Sequence, residues 1–272
     1  MLIRFPARHR NGSPPPVGER ALILAAMAAI VALSWAYLLA GAAHFGTTAA
    51  IGDGAPMHLI VVPWTAKHAA LMVLMWAVMM VAMMLPGAVP TVLPYAAVAR
   101  RFAPQERRSA GPIALFVAGY VLVWSAFSAG ATALQWGLQH LALLSPEMVI
   151  ASPRVGGGIL VAAGLYQWSP LKDRCLALCR FPLAFIGRYW RPGRGGALRM
   201  GLHHGLFCLA CCWGVMLLLF VGGIMNLTWV VILALFVLSE KLTRVGSRVG
   251  RWISGVGLIA AGTLLLTLGQ TI

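Results

Sequence analysis

The sequence predicts an all-α protein, a polytopic helical bundle in a membrane, and two observations carry that prediction. Of its 272 residues, 60 % are apolar and only 10 % are charged, which is outside the usual balance of a soluble domain. The apolar residues also form runs near the roughly 20 residues that a helix needs to cross a bilayer. We therefore expect one integral-membrane domain over residues 21–272, preceded by a disordered basic cytoplasmic tail over residues 1–20.

About seven segments are predicted to span the membrane. They are residues 21–43, 69–93, 113–138, 155–168, 201–222, 227–238 and 253–269. The first follows a basic leader, but its apolar core exceeds the roughly 7–15 residues of a signal peptide, so we expect it to be retained. The fourth and sixth segments are short for a span. A five-span bundle, in which these segments lie shallow in the bilayer, is the alternative.

The basic residues predict the orientation. With a cytoplasmic N-terminus, the inner segments hold basic clusters within residues 4–20, 100–108, 172–199 and 241–251, and only Lys67 and Arg154 fall outside. Lys and Arg accumulate in cytoplasmic loops, so this asymmetry favours both the span count and the cytoplasmic N-terminus. The net charge of +15 then reflects contact with anionic lipid headgroups. No basic face forms, so a nucleic-acid partner is not expected.

The fifth span contains three thiols within five residues, Cys208, Cys211 and Cys212. In a helix, His204, Cys208 and Cys212 lie at positions i, i+4 and i+8 and share one face. Thiolates and imidazole together suit Cu(I) or Zn(II). This segment is the first candidate metal site.

The second span carries a methionine run, which continues into Leu85 and Pro86. Its members are Met72, Met75, Met79, Met80, Met83 and Met84. Thioethers are soft ligands that favour Cu(I), although methionine is also a common packing residue. Pro86 is expected to kink or break the helix.

A short helix is predicted after the fourth span, with Ser169 as its cap and Pro170 at its first position. Cys175 and Cys179 would share one face of it as a two-ligand clamp. The neighbouring cations Lys172, Arg174 and Arg180 are expected to lower the pKa of both thiols.

Glu240 closes the sixth span on the inner side, followed by Lys241. It either neutralises a bound cation, relays protons or pairs with Lys241 or Arg244 at the interface.

Four sequence blocks resemble a bacterial family of inner-membrane proteins described as predicted metal-binding integral membrane proteins, whose function is unknown. They are the block from Ala82 to Pro86, the block from Ser169 to Lys172 leading to Cys175 and Cys179, the cluster from Cys208 to Trp213, and Glu240 with Lys241. A glycine often precedes the paired cysteines in that family, where this chain has Ala210. The resemblance implies metal binding and no particular reaction.

The leading hypothesis is a membrane protein that handles a soft transition metal, with Cu(I) favoured and Zn(II) as the alternative, by transport, delivery or sensing. The predicted metal-site residues are Cys208, Cys211, Cys212, Cys175, Cys179, His204, Met83, Met84 and Glu240. Expected partners are the lipid bilayer, the metal ion, and a metallochaperone or metalloenzyme. One alternative is a membrane thiol–disulfide oxidoreductase, and another is a structural subunit of a membrane complex. Familiar catalytic motifs are absent, so enzymatic activity is not the leading expectation.

Overall fold

The computed structural model describes residues 17–51, 64–102, 110–145, 148–242 and 247–268, and its regular elements there are helical apart from one isolated β-bridge. The predicted all-α class is confirmed. The helices are α1 (Val17–Ile51), α2 (Ala66–Met84), α3 (Val89–Phe102), α4 (Gly111–His140), α5 (Pro153–Gln167), α6 (Pro170–Arg180), α7 (Pro182–Tyr189), α8 (Gly193–Met216), α9 (Leu219–Gly222), α10 (Leu227–Leu242) and α11 (Ser247–Leu268). A 3₁₀ turn, Pro86–Ala88, joins α2 to α3.

Within the described ranges, five helical segments are long and apolar enough to cross a membrane. They are Gly18–Ala42, Ala66–Met84, Gly111–His140, Gly193–Gly222 and Val249–Leu268. The predicted tail lies outside the described residues up to position 16, and α1 already begins at Val17. The chain is thus a multi-pass membrane protein by its helices. The fourth and sixth predicted spans correspond to α5 and α10, which have 15 and 16 residues.

Both short helices lie alongside long ones. Helix α5 packs antiparallel to α11, with Gly157 against Gly262 and Gly164 against Gly255. Helix α10 runs beside α2, because Lys241 near its end contacts Met84 at the end of α2. At the start of α10, Leu227 lines a cavity with the first half of α2. Full crossing by α5 and α10 remains a prediction, which this alignment favours.

Helices α4 and α8 pack in parallel at close range. Gly119 of α4 lies against the backbone of Leu198 and Leu202, and Gly205 of α8 lies against Tyr120. A Cβ atom at Gly201 would overlap the backbone carbonyl of Phe116, so only glycine permits this approach. Helix α4 also packs against α2, and it thereby contacts both the methionine-rich helix and the cysteine-bearing helix.

The two ends of the bundle differ in charge. Helices α2, α5 and α10 end at one end of the bundle, where α4 and α8 begin. Helices α3, α6 and α7 lie at the same end and carry four arginines, Arg100, Arg101, Arg180 and Arg188. We call this the basic end, and we call the opposite end, near the start of α2 and α10, the distal end. The amphipathic helices α6 and α7 cover the basic end and bring side chains from outside the long helices into the core.

Candidate metal centre

Four thiols from two helices converge in the core. Cys208, Cys211 and Cys212 of α8 are buried, and the Sγ atoms of Cys211 and Cys212 are 3.3 Å apart. The Cys211 thiol also donates to the Cys208 carbonyl oxygen at 3.1 Å. Cys179 of α6 interacts with the Cys211 thiol. We call Cys179, Cys208, Cys211 and Cys212 the thiol cluster, and all four cysteines are free of disulfides.

Helix α6 delivers Cys179 because its start and its buried face are both encoded locally. The Ser169 side chain accepts a hydrogen bond from the Leu171 backbone N–H at 3.2 Å, with Pro170 at the first position of the helix, which confirms the predicted cap. The buried side chains fall at positions i, i+3, i+4 and i+7, so they share one face, which packs against α8. They are Lys172, Cys175, Leu176 and Cys179.

Cys175 lies on the same face of α6 as Cys179, within electrostatic range of the Tyr166 hydroxyl. Burial raises the pKa of its thiol, whereas the sequence predicted a lowered pKa, and that prediction is wrong. The physical reason is that the neighbouring cations are directed elsewhere. Lys172 is paired with the Glu240 carboxylate, and Arg180 donates to the Glu240 carbonyl oxygen at 2.7 Å. Desolvation of the thiolate is therefore not offset.

Lys241 reaches the thiol cluster from α10, a contact that the sequence did not predict. Its Nζ atom lies 3.0 Å from the Cys208 Sγ and 3.9 Å from the Met84 Sδ. The side chain passes over Gly87, where a Cβ atom would come within 2.8 Å of the Lys241 Cδ. A glycine directly after Pro86 is the signal in the sequence that something must pass close to the backbone at this turn.

Tyr120 of α4 ties the methionine-rich helix to the cluster. Its hydroxyl donates to the Met84 carbonyl oxygen at 2.8 Å, and the Tyr120 hydroxyl oxygen also lies 3.1 Å from the Cys208 Sγ. The last residues of α2 lose their helical hydrogen-bond partners where Pro86 follows, so this carbonyl is free to accept from a side chain. Sequence reasoning missed Tyr120, because a single tyrosine in a span carries no spacing signal.

Glu240 forms a buried ion pair on the side of α10 next to Lys241. Its carboxylate oxygens lie 2.8 Å and 2.9 Å from the Lys172 Nζ, and Gln167 also accepts from that ammonium. The structure therefore pairs Glu240 with Lys172, whereas its sequence neighbours Lys241 and Arg244 were the expected partners, and Arg244 lies outside the described residues. This pair fixes α10 to α6 and so sets the position of Lys241.

His204 sits one helical turn from Cys208 toward the basic end. Its ring lies among Phe116, Tyr120 and Phe185, with centroid separations of 5.9, 5.5 and 5.2 Å. Its Nδ1 atom has no hydrogen-bond partner among the described residues. His204 as a ligand stays a prediction, and an unpartnered buried nitrogen beside the thiols is consistent with it.

Of the two predicted methionines at the end of α2, Met84 touches the cluster through Lys241, as described above. Met83 is buried in the same core. Its role as a ligand also stays a prediction.

A cavity of about 560 Å³ leads from the basic end toward the cluster. Cys179 and Lys241 line its inner wall, and Pro90, Phe181 and Leu242 are among the residues that line the rest. The thiol cluster can therefore be approached from the side where α6 and α7 lie.

Comparison with protein families identifies the chain. A family model described as PpoB2, copper chaperone, matches residues 73–265. The chain belongs to this copper chaperone family. No curated protein and no solved structure matches it significantly. The matched range extends from α2 into α11 and includes the thiol cluster, Tyr120 and Lys241. The family description names copper, whereas the resemblance of the four sequence blocks implied only a metal.

The donor chemistry of the thiol cluster fits copper as the cargo of such a chaperone. Buried thiols with a nearby thioether and imidazole are the soft ligands that Cu(I) prefers. The ligand atoms are not yet arranged around a metal position, since no group of three or more His, Cys, Asp or Glu side chains in the described part of the chain is poised to hold an ion. Two thiolates on one tetrahedral centre lie about 3.8 Å apart, from bonds of about 2.3 Å, which exceeds the 3.3 Å between Cys211 and Cys212. If Cys211 and Cys212 bound one ion together, their sulfur atoms would have to lie farther apart than they do here.

Proposed function

We propose that this copper chaperone binds Cu(I) through the thiol cluster and delivers it to a copper enzyme, as a protein of the bacterial inner membrane. The observation that carries the proposal is the convergence of four buried, disulfide-free thiols from α6 and α8 beside the Lys241 ammonium. Thiolates bind Cu(I) tightly, and the surrounding apolar core excludes water, which would otherwise compete for the ion.

The charge of Lys241 favours a monovalent ion. Cu(I) held by two thiolates carries a net charge of −1, which the ammonium 3.0 Å from the Cys208 Sγ neutralises. Zn(II) in the same pair of thiolates would leave a net charge of +1 with Lys241. An uncompensated charge at membrane depth costs about 2.5–3.5 kcal/mol on translocon-based scales. Selection of Cu(I) over Zn(II) thus follows from a fixed cation beside two thiolates.

Access through the basic end suggests how the ion is exchanged. Cys179 lines the 560 Å³ cavity and also interacts with Cys211, so it is the thiol a donor would reach first. A cytoplasmic metallochaperone or a metalloenzyme with its own thiolates would exchange Cu(I) by successive replacement of sulfur ligands. Release on the other side would make the protein a transporter as well as a delivery factor.

Anaerobic Cu(I) competition with a chromogenic chelator tests the proposal on protein purified in detergent. We expect about one tightly bound Cu(I) per wild-type chain and loss of that ion in the Cys208→Ser, Cys212→Ser double variant. Cys175→Ser is the matched control, because Cys175 is buried in the same helix as Cys179 without contributing to the cluster, and it should keep the ion. Equal copper binding by the double variant and the wild type would refute the proposal, as would tighter binding of Zn(II) than of Cu(I).

A further inference from the structure

We propose a second Cu(I) site at the distal end of the bundle, built from the thioethers of Met72, Met75, Met79 and Met225. These four side chains line one cavity of about 200 Å³ between α1, α2 and the turn that precedes α10. The inference rests on the proposed function only for the identity of the ion, a soft monovalent cation. Its position, chemistry and expected affinity differ from those of the thiol cluster.

The arrangement differs from ordinary methionine packing because four methionine side chains from two segments line one open cavity. Met72, Met75 and Met79 fall at positions i, i+3 and i+7 of α2, so they share one face, and that face is turned to the cavity. Met225 approaches from the opposite wall, on a turn that begins with Gly223 at a φ of +94°. The other residues that line the cavity are apolar, and Tyr37 and Leu71 among them are each 47 % exposed, so the cavity opens to the outside of the described helices and an ion can reach the thioethers.

Gln135 supplies a second, independent observation at this end. It is fully buried in α4, and its Nε2 atom lies 3.8 Å from the Met72 Sδ and 3.6 Å from the Met148 Sδ. Its Oε1 atom accepts from the Trp76 indole N–H at 2.8 Å, which fixes the orientation of the amide. A buried amide needs hydrogen-bond partners, and the Gln135 Nε2 finds them in two thioether sulfurs. It holds the Met72 side chain at the edge of the cavity.

The methionine run connects the two sites. From Met72 to Met84 the helix rises about 18 Å, at about 1.5 Å per residue, and a thioether faces the interior on every turn between them. Met84 at the far end lies 3.9 Å from the Lys241 Nζ, which contacts Cys208. Neutral thioethers bind Cu(I) more weakly than thiolates, so a distal thioether site would exchange its ion readily. We assign the distal site the role of an exchange site, at which copper enters or leaves the chaperone on the side opposite Cys179.

Silver binding in a chain without cysteines tests the second site, because Ag(I) is a soft monovalent ion that needs no reductant. The parent variant replaces Cys175, Cys179, Cys208, Cys211 and Cys212 with serine. We expect it to bind about one Ag(I) per chain in equilibrium dialysis. Met72→Leu, Met75→Leu and Met79→Leu together should weaken that binding at least tenfold, since leucine keeps the volume and removes the sulfur. Met200→Leu, at a buried methionine of α8 outside the cavity, should leave the affinity unchanged.

The outcomes separate the two sites. If the cysteine-free chain binds no Ag(I), or if the three leucine substitutions leave its binding unchanged, the distal site is refuted and the thiol cluster is unaffected. If the Cys208→Ser, Cys212→Ser variant binds Cu(I) as tightly as the wild type while the cysteine-free chain binds Ag(I) at the methionines, the proposed function fails and the distal site stands. Should the cysteine-free chain fail to fold, the same count is made with all cysteines present. There, Met75→Leu with Met225→Leu should remove one of two bound Ag(I) ions, and retention of both ions would overturn the inference.

Discussion

At the residue scale, the ammonium group of Lys241 joins three helices at one point. It contacts Cys208 of α8 and Met84 of α2, and its own backbone belongs to α10. The Lys241 side chain passes close to Gly87, so the turn after Pro86 both ends α2 and leaves room for the lysine. Glycine at that position and lysine at 241 should therefore be needed together.

We expect Lys241→Met to lower Cu(I) affinity at least tenfold, because the thiolate–copper complex loses its counter-charge. The attraction between opposite charges 4 Å apart is about 4 kcal/mol at an effective dielectric constant of 20, so a tenfold loss is a conservative estimate. Chelator competition measures the effect. Lys67→Met removes an exposed lysine at the distal end and should leave the affinity as it is. Unchanged or stronger binding by Lys241→Met would mean that the ammonium competes with copper.

The pKa of Cys175 gives a pH dependence. Burial raises the pKa of this thiol, so at a given pH less of it is thiolate than in a free cysteine. In a chain whose other four cysteines are serine, the rate of maleimide labelling should therefore reach its midpoint at a higher pH than for a cysteine in a short, uncharged, unstructured peptide. A midpoint at lower pH would restore the original expectation that the arginines and lysine of α6 activate the thiol.

At the element scale, the close parallel contact between α4 and α8 holds Tyr120 and Cys208 together. Gly201→Ala would place a methyl group against the backbone of Phe116 and force the helices apart, with a loss of stability of about 1–3 kcal/mol as for other overpacked sites. Thermal unfolding in detergent is the measurement. Gly137→Ala is the matched control within α4, because a Cβ atom there meets nothing within 4 Å, and it should stabilise by about 0.5–1 kcal/mol. Similar unfolding temperatures for Gly201→Ala and Gly137→Ala would show that the close contact at Gly201 does not hold α4 and α8 together.

The parts of the site that the sequence predicted are those determined within a single helix. Cys208 and Cys212 share a face of α8 because they are four residues apart. The cap at Ser169 fixes where α6 begins, and the spacing of its buried residues places Cys179 on the face that packs against α8. The pairing of Lys241 with Cys208 joins residues 33 positions apart, and that of Lys172 with Glu240 joins residues 68 positions apart. Such contacts depend on how helices dock, and no local pattern encodes that.

At the scale of the whole molecule, the helix count shows the same limit. Composition and periodicity predicted the all-α membrane class, but length alone could not decide between five and seven spans. Helices α5 and α10 are short, yet α5 docks on α11 through paired glycines and α10 lies along α2. How far α5 and α10 extend across the membrane follows from the longer helices against which they pack.

The orientation of the bundle can be tested by labelling in intact cells. In the cysteine-free chain, a single cysteine at the exposed position Lys67 should react with a membrane-impermeant maleimide. A single cysteine at the exposed position Arg188 should react only after the cells are permeabilised, because the basic end is expected to face the cytoplasm. The reverse pattern would invert the topology, and the 560 Å³ cavity would then face outward.

The buried sulfur core between the two cavities has a consequence for the bilayer itself. Met79, Met80 and Met84 are almost wholly inaccessible to solvent, as is Trp76 beside them. Sodium and potassium ions hold their hydration shells too firmly to exchange water for thioether sulfur, and protons need a chain of water or titratable groups to move. Copper transfer along α2 between the two proposed sites would therefore leave the ion gradients of an energised membrane intact, since it would require an ion that exchanges water for sulfur.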